Sequence, residues 1–272
     1  MIANWSSMSQ AERDAAYNNN GAVANSAELI VRRNGAAQAY RAAHPAGLDI
    51  PYGSGPRNKW DLFPATDASA PCLVFIHGGY WQRNSREDFS HLAGGIRAHG
   101  WSAALPSHML APDASLAEIV GELRSALDWL AKEGPRHGIA PRKLVVSGWS
   151  AGGHLTAMML SHPSVHAGLA ISGVYELAPI RDTGLNEKLQ LKDAEIASLS
   201  PLRLPVVMKP LAVAYGSKEL RALVGDARGL HALRSQHKAP GPLLEIAGAD
   251  HFTILDELER PDGQLVKAAL AI

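Results

Sequence analysis

Short apolar runs alternate along most of the chain with stretches where apolar residues recur every three or four positions. The runs at 73–77, 101–105, 143–147, 167–172, 211–215 and 243–246 have the length of buried strands. Between them, 88–99, 115–132, 153–160, 227–235 and 263–271 carry helical periodicity. The clearest stripe is Leu116, Ile119, Val120, Leu123, Leu127 and Leu130. Gly100 supplies a stop signal for 88–99. Strands alternating with helices predict an α/β fold, a mostly parallel sheet with helices on both faces.

The first stretch, 1–45, is rich in Ala and Asn and reads as a helical lead-in, with helices over 10–17 and 26–43. The segments 49–52 and 59–63 flank Gly53-Ser54-Gly55-Pro56, which is a hairpin signal. Residues 174–207 break the rhythm and read as an insertion over the sheet edge, a candidate cap or lid. No repeat, low-complexity tract or long linker divides the chain, so 1–272 is expected to be one domain.

Composition narrows the partners. Twenty-six Lys and Arg balance 26 Asp and Glu, which leaves no basic excess for nucleic acid. An apolar fraction of 46% is too high for a disordered chain. The lone cysteine, Cys72, cannot form an internal disulfide and reads as a small buried hydrophobe. Met1-Ile2-Ala3-Asn4-Trp5 lacks the basic start and apolar stretch of a signal peptide. No run approaches the ~18–20 apolar residues that span a membrane. A cytoplasmic protein with a small-molecule substrate is expected, without nucleic-acid or membrane partners. A homodimer is allowed, although nothing in the sequence calls for one.

The chemistry centres on Gly148-Trp149-Ser150-Ala151-Gly152. Gly-x-Ser-x-Gly alone is a weak signal, but here it joins a predicted strand to a predicted helix. That is the setting of a nucleophile elbow, a tight turn that presents the serine hydroxyl at the carboxyl end of the sheet. His77-Gly78-Gly79-Tyr80-Trp81 follows an earlier strand. Acyl transfer builds charge on a carbonyl oxygen, and a glycine pair can turn backbone N–H groups toward it. Gly78, Gly79 and Ala151 are therefore the candidate oxyanion donors. The base is expected near the chain's end, and His251 follows the last strand. His77 is expected to brace the glycine loop, and His154, His162, His231 and His237 to be packed or solvated. The acid should follow the penultimate strand, which selects Glu219; Asp226 and Asp250 are its rivals. Ser150 would attack a carbonyl, His251 would take its proton and Glu219 would orient His251. Tyr80 and Trp81 are candidates to wall the leaving-group side, and Trp149 is a further pocket candidate. No metal site or cofactor is expected, because zinc-ligand spacing, paired cysteines and a phosphate-cradling loop are all missing from the sequence.

The loop 77–81 and the segment 148–154, Gly-Trp-Ser-Ala-Gly-Gly-His, together resemble the kynurenine formamidase (arylformamidase) branch of the α/β-hydrolase superfamily. That branch carries a His-Gly-Gly-x-Trp loop. Tyr52-Gly53, the segment 60–65, Leu199-Ser200-Pro201-Leu202 and His251-Phe252 extend the likeness over most of the chain. The resemblance implies the α/β-hydrolase fold and hydrolysis of a small amide or ester, with N-formyl-L-kynurenine as the family substrate. The sequence departs from the family pattern at Trp149, where His is common, and at Glu219, where Asp is usual. The loop 106–112 also lacks the family's tyrosine. A short-acyl carboxylesterase is the alternative reading. A non-catalytic ligand-binding relative is a third, disfavoured by the presence of Ser150, His251 and an acid.

Overall fold

The predicted apolar runs pair as one sheet. Its strands are β1 (Ile50–Pro51), β2 (Lys59–Phe63), β3 (Cys72–Ile76), β4 (Ser102–Pro106), β5 (Leu144–Trp149), β6 (Ala167–Ile171), β7 (Leu211–Gly216) and β8 (Leu243–Ile246). The computed structural model describes residues 5–272, so the reading of residues 1–4 lies outside it. The order across the sheet is β1-β2-β4-β3-β5-β6-β7-β8. Only β2 runs against its neighbours β1 and β4; the other pairs are parallel. Every residue of β3 to β7 is buried, which explains why these strands read as continuous apolar runs with no alternation. Cys72 opens β3 fully buried, and burial pushes its thiol well above the usual range, as suits a core residue.

The helices are α1 (Gln10–Ala15), α2 (Asn19–Ala22), α3 (Ser26–Ala43), α4 (Ala93–Arg97), α5 (Leu116–Glu133), α6 (Ala151–Met159), α7 (Ala178–Arg181), α8 (Asn186–Leu189), α9 (Asp193–Leu199), α10 (Arg221–Gln236), α11 (Asp256–Glu259) and α12 (Gln264–Ala271). Two apolar clusters sandwich the sheet: α5, α6 and α10 supply one, α4, α11 and α12 the other. The Ser115 side chain accepts from the backbone N–H of Glu118, and the Glu118 side chain reaches back to the Ser115 N–H, which starts α5 where the sequence placed it. No helix among the described residues is long and apolar enough to cross a membrane.

Two boundaries differ from expectation. The predicted helix 88–99 is two single 3-10 turns followed by the short α4. Gly94-Gly95 weakens the helix, and Gly95 lies so close to the Leu258 carbonyl that a Cβ would come within 2.2 Å of it. Helix α10 begins at Arg221, ahead of the predicted 227; its first turn buries Ala222 and Leu223, and Gly225 hides their continuity with the rest of the stripe.

A buried ionic network fastens α3 to the sheet. Asp61, on β2 and wholly buried, accepts from Arg86 Nε at 2.9 Å and Ser90 Oγ at 3.1 Å, and pairs with Arg41 of α3. Arg86 also pairs with Asp49. Removing Asp61 would strip Arg86 of its one fully buried counter-charge and leave it only the solvent-exposed Asp49 and Glu87. Asp61→Ala should therefore lower stability by about 3–5 kcal/mol in a denaturant titration; a loss below about 1 kcal/mol would mean that solvent reaches Arg86.

After β3 the chain moves to β4 on one side, then returns past β3 to form β5 on the other. Such a switch opens a crevice at the carboxyl ends of the two strands. The lead-in and the segment 174–207 cover it together. Trp5 Nε1 donates to Asp182 (2.9 Å), Gly184 N to Asp14 (2.8 Å) and Gln82 Nε2 to the Leu185 carbonyl (2.8 Å).

Candidate active site

Register brings the two glycine-rich segments side by side. Ile76 lies level with Gly148, so the loop after β3 emerges beside the turn after β5. A Cβ on Gly78 would stand 2.6 Å from the Trp149 carbonyl and 3.0 Å from the Ser150 Cβ. Only glycine allows that approach. Gly152 is equally confined, since a Cβ there would sit 2.0 Å from the Ile76 carbonyl.

Ser150 precedes α6 with φ 59° and ψ −120°, a left-handed backbone that a serine adopts at a cost of about 1–3 kcal/mol. Its surroundings hold it there. The Ser150 N–H donates to Ile171 O (2.8 Å), and its carbonyl accepts from Gly153 (2.8 Å) and His154 (3.1 Å). Gly79, Tyr80 and Trp81 also have positive φ, which turns the loop sharply after Gly78. His77 Nδ1 donates to the Gly78 carbonyl (2.9 Å), and its ring stacks on His108 with centroids 4.6 Å apart. Burial holds His77 well below the ordinary imidazole range, so it stays neutral. Among the described residues, no backbone hydrogen bond takes up the N–H of Gly78, Gly79 or Ala151.

His251 Nδ1 lies 2.8 Å from Glu219 Oε1, with both side chains buried. A carboxylate only accepts, so Nδ1 carries the proton and Nε2 of the neutral ring is left as the basic nitrogen. The other Glu219 oxygen accepts from Gly216 N at 3.2 Å, which ties the carboxylate to the end of β7. The rival carboxylates are occupied elsewhere. Asp226 accepts from the N–H groups of Tyr175 (2.6 Å) and Glu176 (3.1 Å), and burial raises its pKa to about 6. Asp250 accepts from Phe252 N (2.8 Å) and Thr253 N (2.9 Å).

A cavity of about 290 Å³ holds Ser150, His251 and Gly79 in its lining, with Tyr17, Tyr80, Trp149 and Phe252 as its aromatic members. Trp149 also grips the histidine: its Nε1 donates to the His251 carbonyl (2.7 Å), and the two rings are 4.7 Å apart. Tyr80 is held by its hydroxyl, which donates to Tyr17 O (2.7 Å) and accepts from Asn19 Nδ2 (3.0 Å). Trp81 is not in the lining. It is buried behind the loop, edge-on to His154 with centroids 5.1 Å apart. The His154 Nε2 lies 2.7 Å from the Leu199 carbonyl, and His162 pairs with Asp128 at 3.1 Å. Sequence reasoning missed the outer wall, where the lead-in contributes Asp14, Tyr17, Ile30 and Arg33 and the insertion contributes Thr183 and Leu185. The Asn18-Asn19-Asn20 run, which also lines the cavity, was the one visible oddity.

This chain is similar to known hydrolases. A BD-FAE family model matches residues 61–167. The kynurenine formamidase of Drosophila melanogaster is 30% identical over 236 residues, spanning 79% of this chain and 77% of that one. The kynurenine formamidase of Salmo salar is 29% identical over 243 residues, spanning 82% and 80%. A crystal structure from Silicibacter sp. TM1040, provisionally named a thioesterase, superposes with a TM-score of 0.83 at 28% identity, covering 95% of this chain and 99% of that one.

Proposed function

The chain belongs to the kynurenine formamidase family of α/β-hydrolases, and from that premise we propose that it is a serine hydrolase of an aryl formamide. The observation that carries this reading is the buried Glu219–His251 pair, whose histidine shares one cavity with Ser150 on its left-handed turn.

The proposed reaction runs through these groups in order. Ser150 Oγ attacks the formyl carbon as His251 Nε2 takes its proton, and Glu219 stabilises the imidazolium that forms. The carbonyl oxygen becomes an oxyanion and accepts from the N–H groups of Ala151 and of the Gly78-Gly79 turn. Each such donor lowers the barrier by about 3 kcal/mol. His251 then returns the proton to the departing aryl nitrogen, which leaves a formyl ester on Ser150. Water attacks that ester by the same route, releasing formate and restoring the serine. The formyl group needs almost no room. Tyr80, Trp149 and Phe252 give the aryl leaving group aromatic surface.

Ester hydrolysis would use the same groups, so substrate choice is the test. Turnover of N-formyl-L-kynurenine should exceed that of p-nitrophenyl acetate in kcat/KM by tenfold or more. Hydrolysis of the ester alone would overturn the formamide reading and leave a short-acyl esterase.

A further inference from the structure

Two arginines stand at the cavity without an acidic partner. Among the described residues, Arg33 and Arg83 form no ion pair, whereas Arg32, the chain neighbour of Arg33, pairs with Asp256 at 2.9 Å. Arg33 is half-buried, and its guanidinium lies over the Phe89 ring, 4.3 Å from the centroid. Its hydrogen bonds go to a neutral group, the Asn34 side-chain oxygen, at 2.9 and 3.1 Å. Asp88, whose charge bears on Arg33, already accepts from the Ser85 N–H at 2.9 Å. A partly desolvated guanidinium, fixed on an aromatic face and lacking a counter-charge, is prepared for an anion from solution.

We infer that Arg33 binds a carboxylate on the leaving-group side of the substrate, so that the enzyme selects formamides of aryl amino acids over uncharged ones. This rests on the formamidase reading above. The lining fits the rest of an amino-acid head group: Asp14 is the one carboxylate on the cavity wall and can accept from an ammonium. Arg83 is exposed at the same rim and adds positive charge without a fixed seat.

Product binding isolates this step from the chemistry. Titration calorimetry would compare L-kynurenine with kynuramine, the same aryl ketone without the carboxylate, on wild type, Arg33→Gln and Arg33→Lys. Arg33→Gln should weaken L-kynurenine tenfold or more and leave kynuramine within twofold. Arg33→Lys, which keeps the charge but loses the planar fork, should fall between. It also serves if the glutamine variant folds poorly. Equal losses for both ligands, no loss for either, or a wild type that binds neither would overturn the inference. Turnover of N-formyl-L-kynurenine by the wild type is read separately. A protein that binds the amino acid through Arg33 but cleaves only esters would refute the formamidase reading and leave the carboxylate site standing.

Discussion

Replacing Ser150 with alanine should lower kcat on N-formyl-L-kynurenine by about ten-thousand-fold or more, with the fold and L-kynurenine binding retained. The reasoning is structural. Ser150 stands on a left-handed turn, and the glycines around it leave no space for a larger residue to take over. The backbone N–H groups of Ala151 and Gly78-Gly79 survive the substitution, so some rate above the uncatalysed reaction should remain. Single-turnover measurements with circular dichroism on the same samples would separate lost chemistry from lost structure. A variant within tenfold of wild type would remove Ser150 as the nucleophile.

The second large effect is expected at Glu219. Glu219→Gln keeps the size and can still hydrogen-bond His251, but through a neutral amide whose NH2 group favours the wrong imidazole tautomer. A fall in kcat of about a thousandfold or more is expected, with KM little changed. Asp226→Asn is the informative companion. Asp226 holds the N–H groups of Tyr175 and Glu176, so its loss should act on stability, with kcat within a few-fold of wild type. If Asp226→Asn lost as much rate as Glu219→Gln, the assignment of the acid would have to be reversed.

Much of this architecture was legible in the chain. Strands buried on both faces show as continuous apolar runs, and β3 to β7 are of that kind. The elbow was legible because its glycines are demanded by backbone contact, as Gly152 against the Ile76 carbonyl illustrates. Glu219 could be chosen over Asp226 from its place after β7, and it is the carboxylate that meets His251. What stayed hidden depends on distant packing. Arg33 looks like any solvent-facing helix residue until α3 is laid against the loop bearing Phe89. Trp149 was read as pocket wall, and it does line the cavity, but its indole N–H reaches a carbonyl 102 positions away. Asp61 gave a partial signal, a lone acid inside the strand Lys59–Phe63, yet its partners Arg41 and Arg86 could not be found by spacing.

The covering of the crevice by the lead-in and the segment 174–207 divides the protein's labour along its sequence. The proposed reacting groups follow β3, β5, β7 and β8, where Gly78 and Gly152 are held in close backbone contact. The outer wall of the cavity belongs instead to the lead-in, from α1 to α3, and to the turn at 183–185, which lie outside the sheet. Substitutions there can re-aim the enzyme toward leaving groups of other size or charge while the bond-breaking apparatus stays intact. A library confined to Asp14, Asn18, Ile30, Arg33 and Leu185 is therefore the economical place to evolve new substrate preferences on this scaffold.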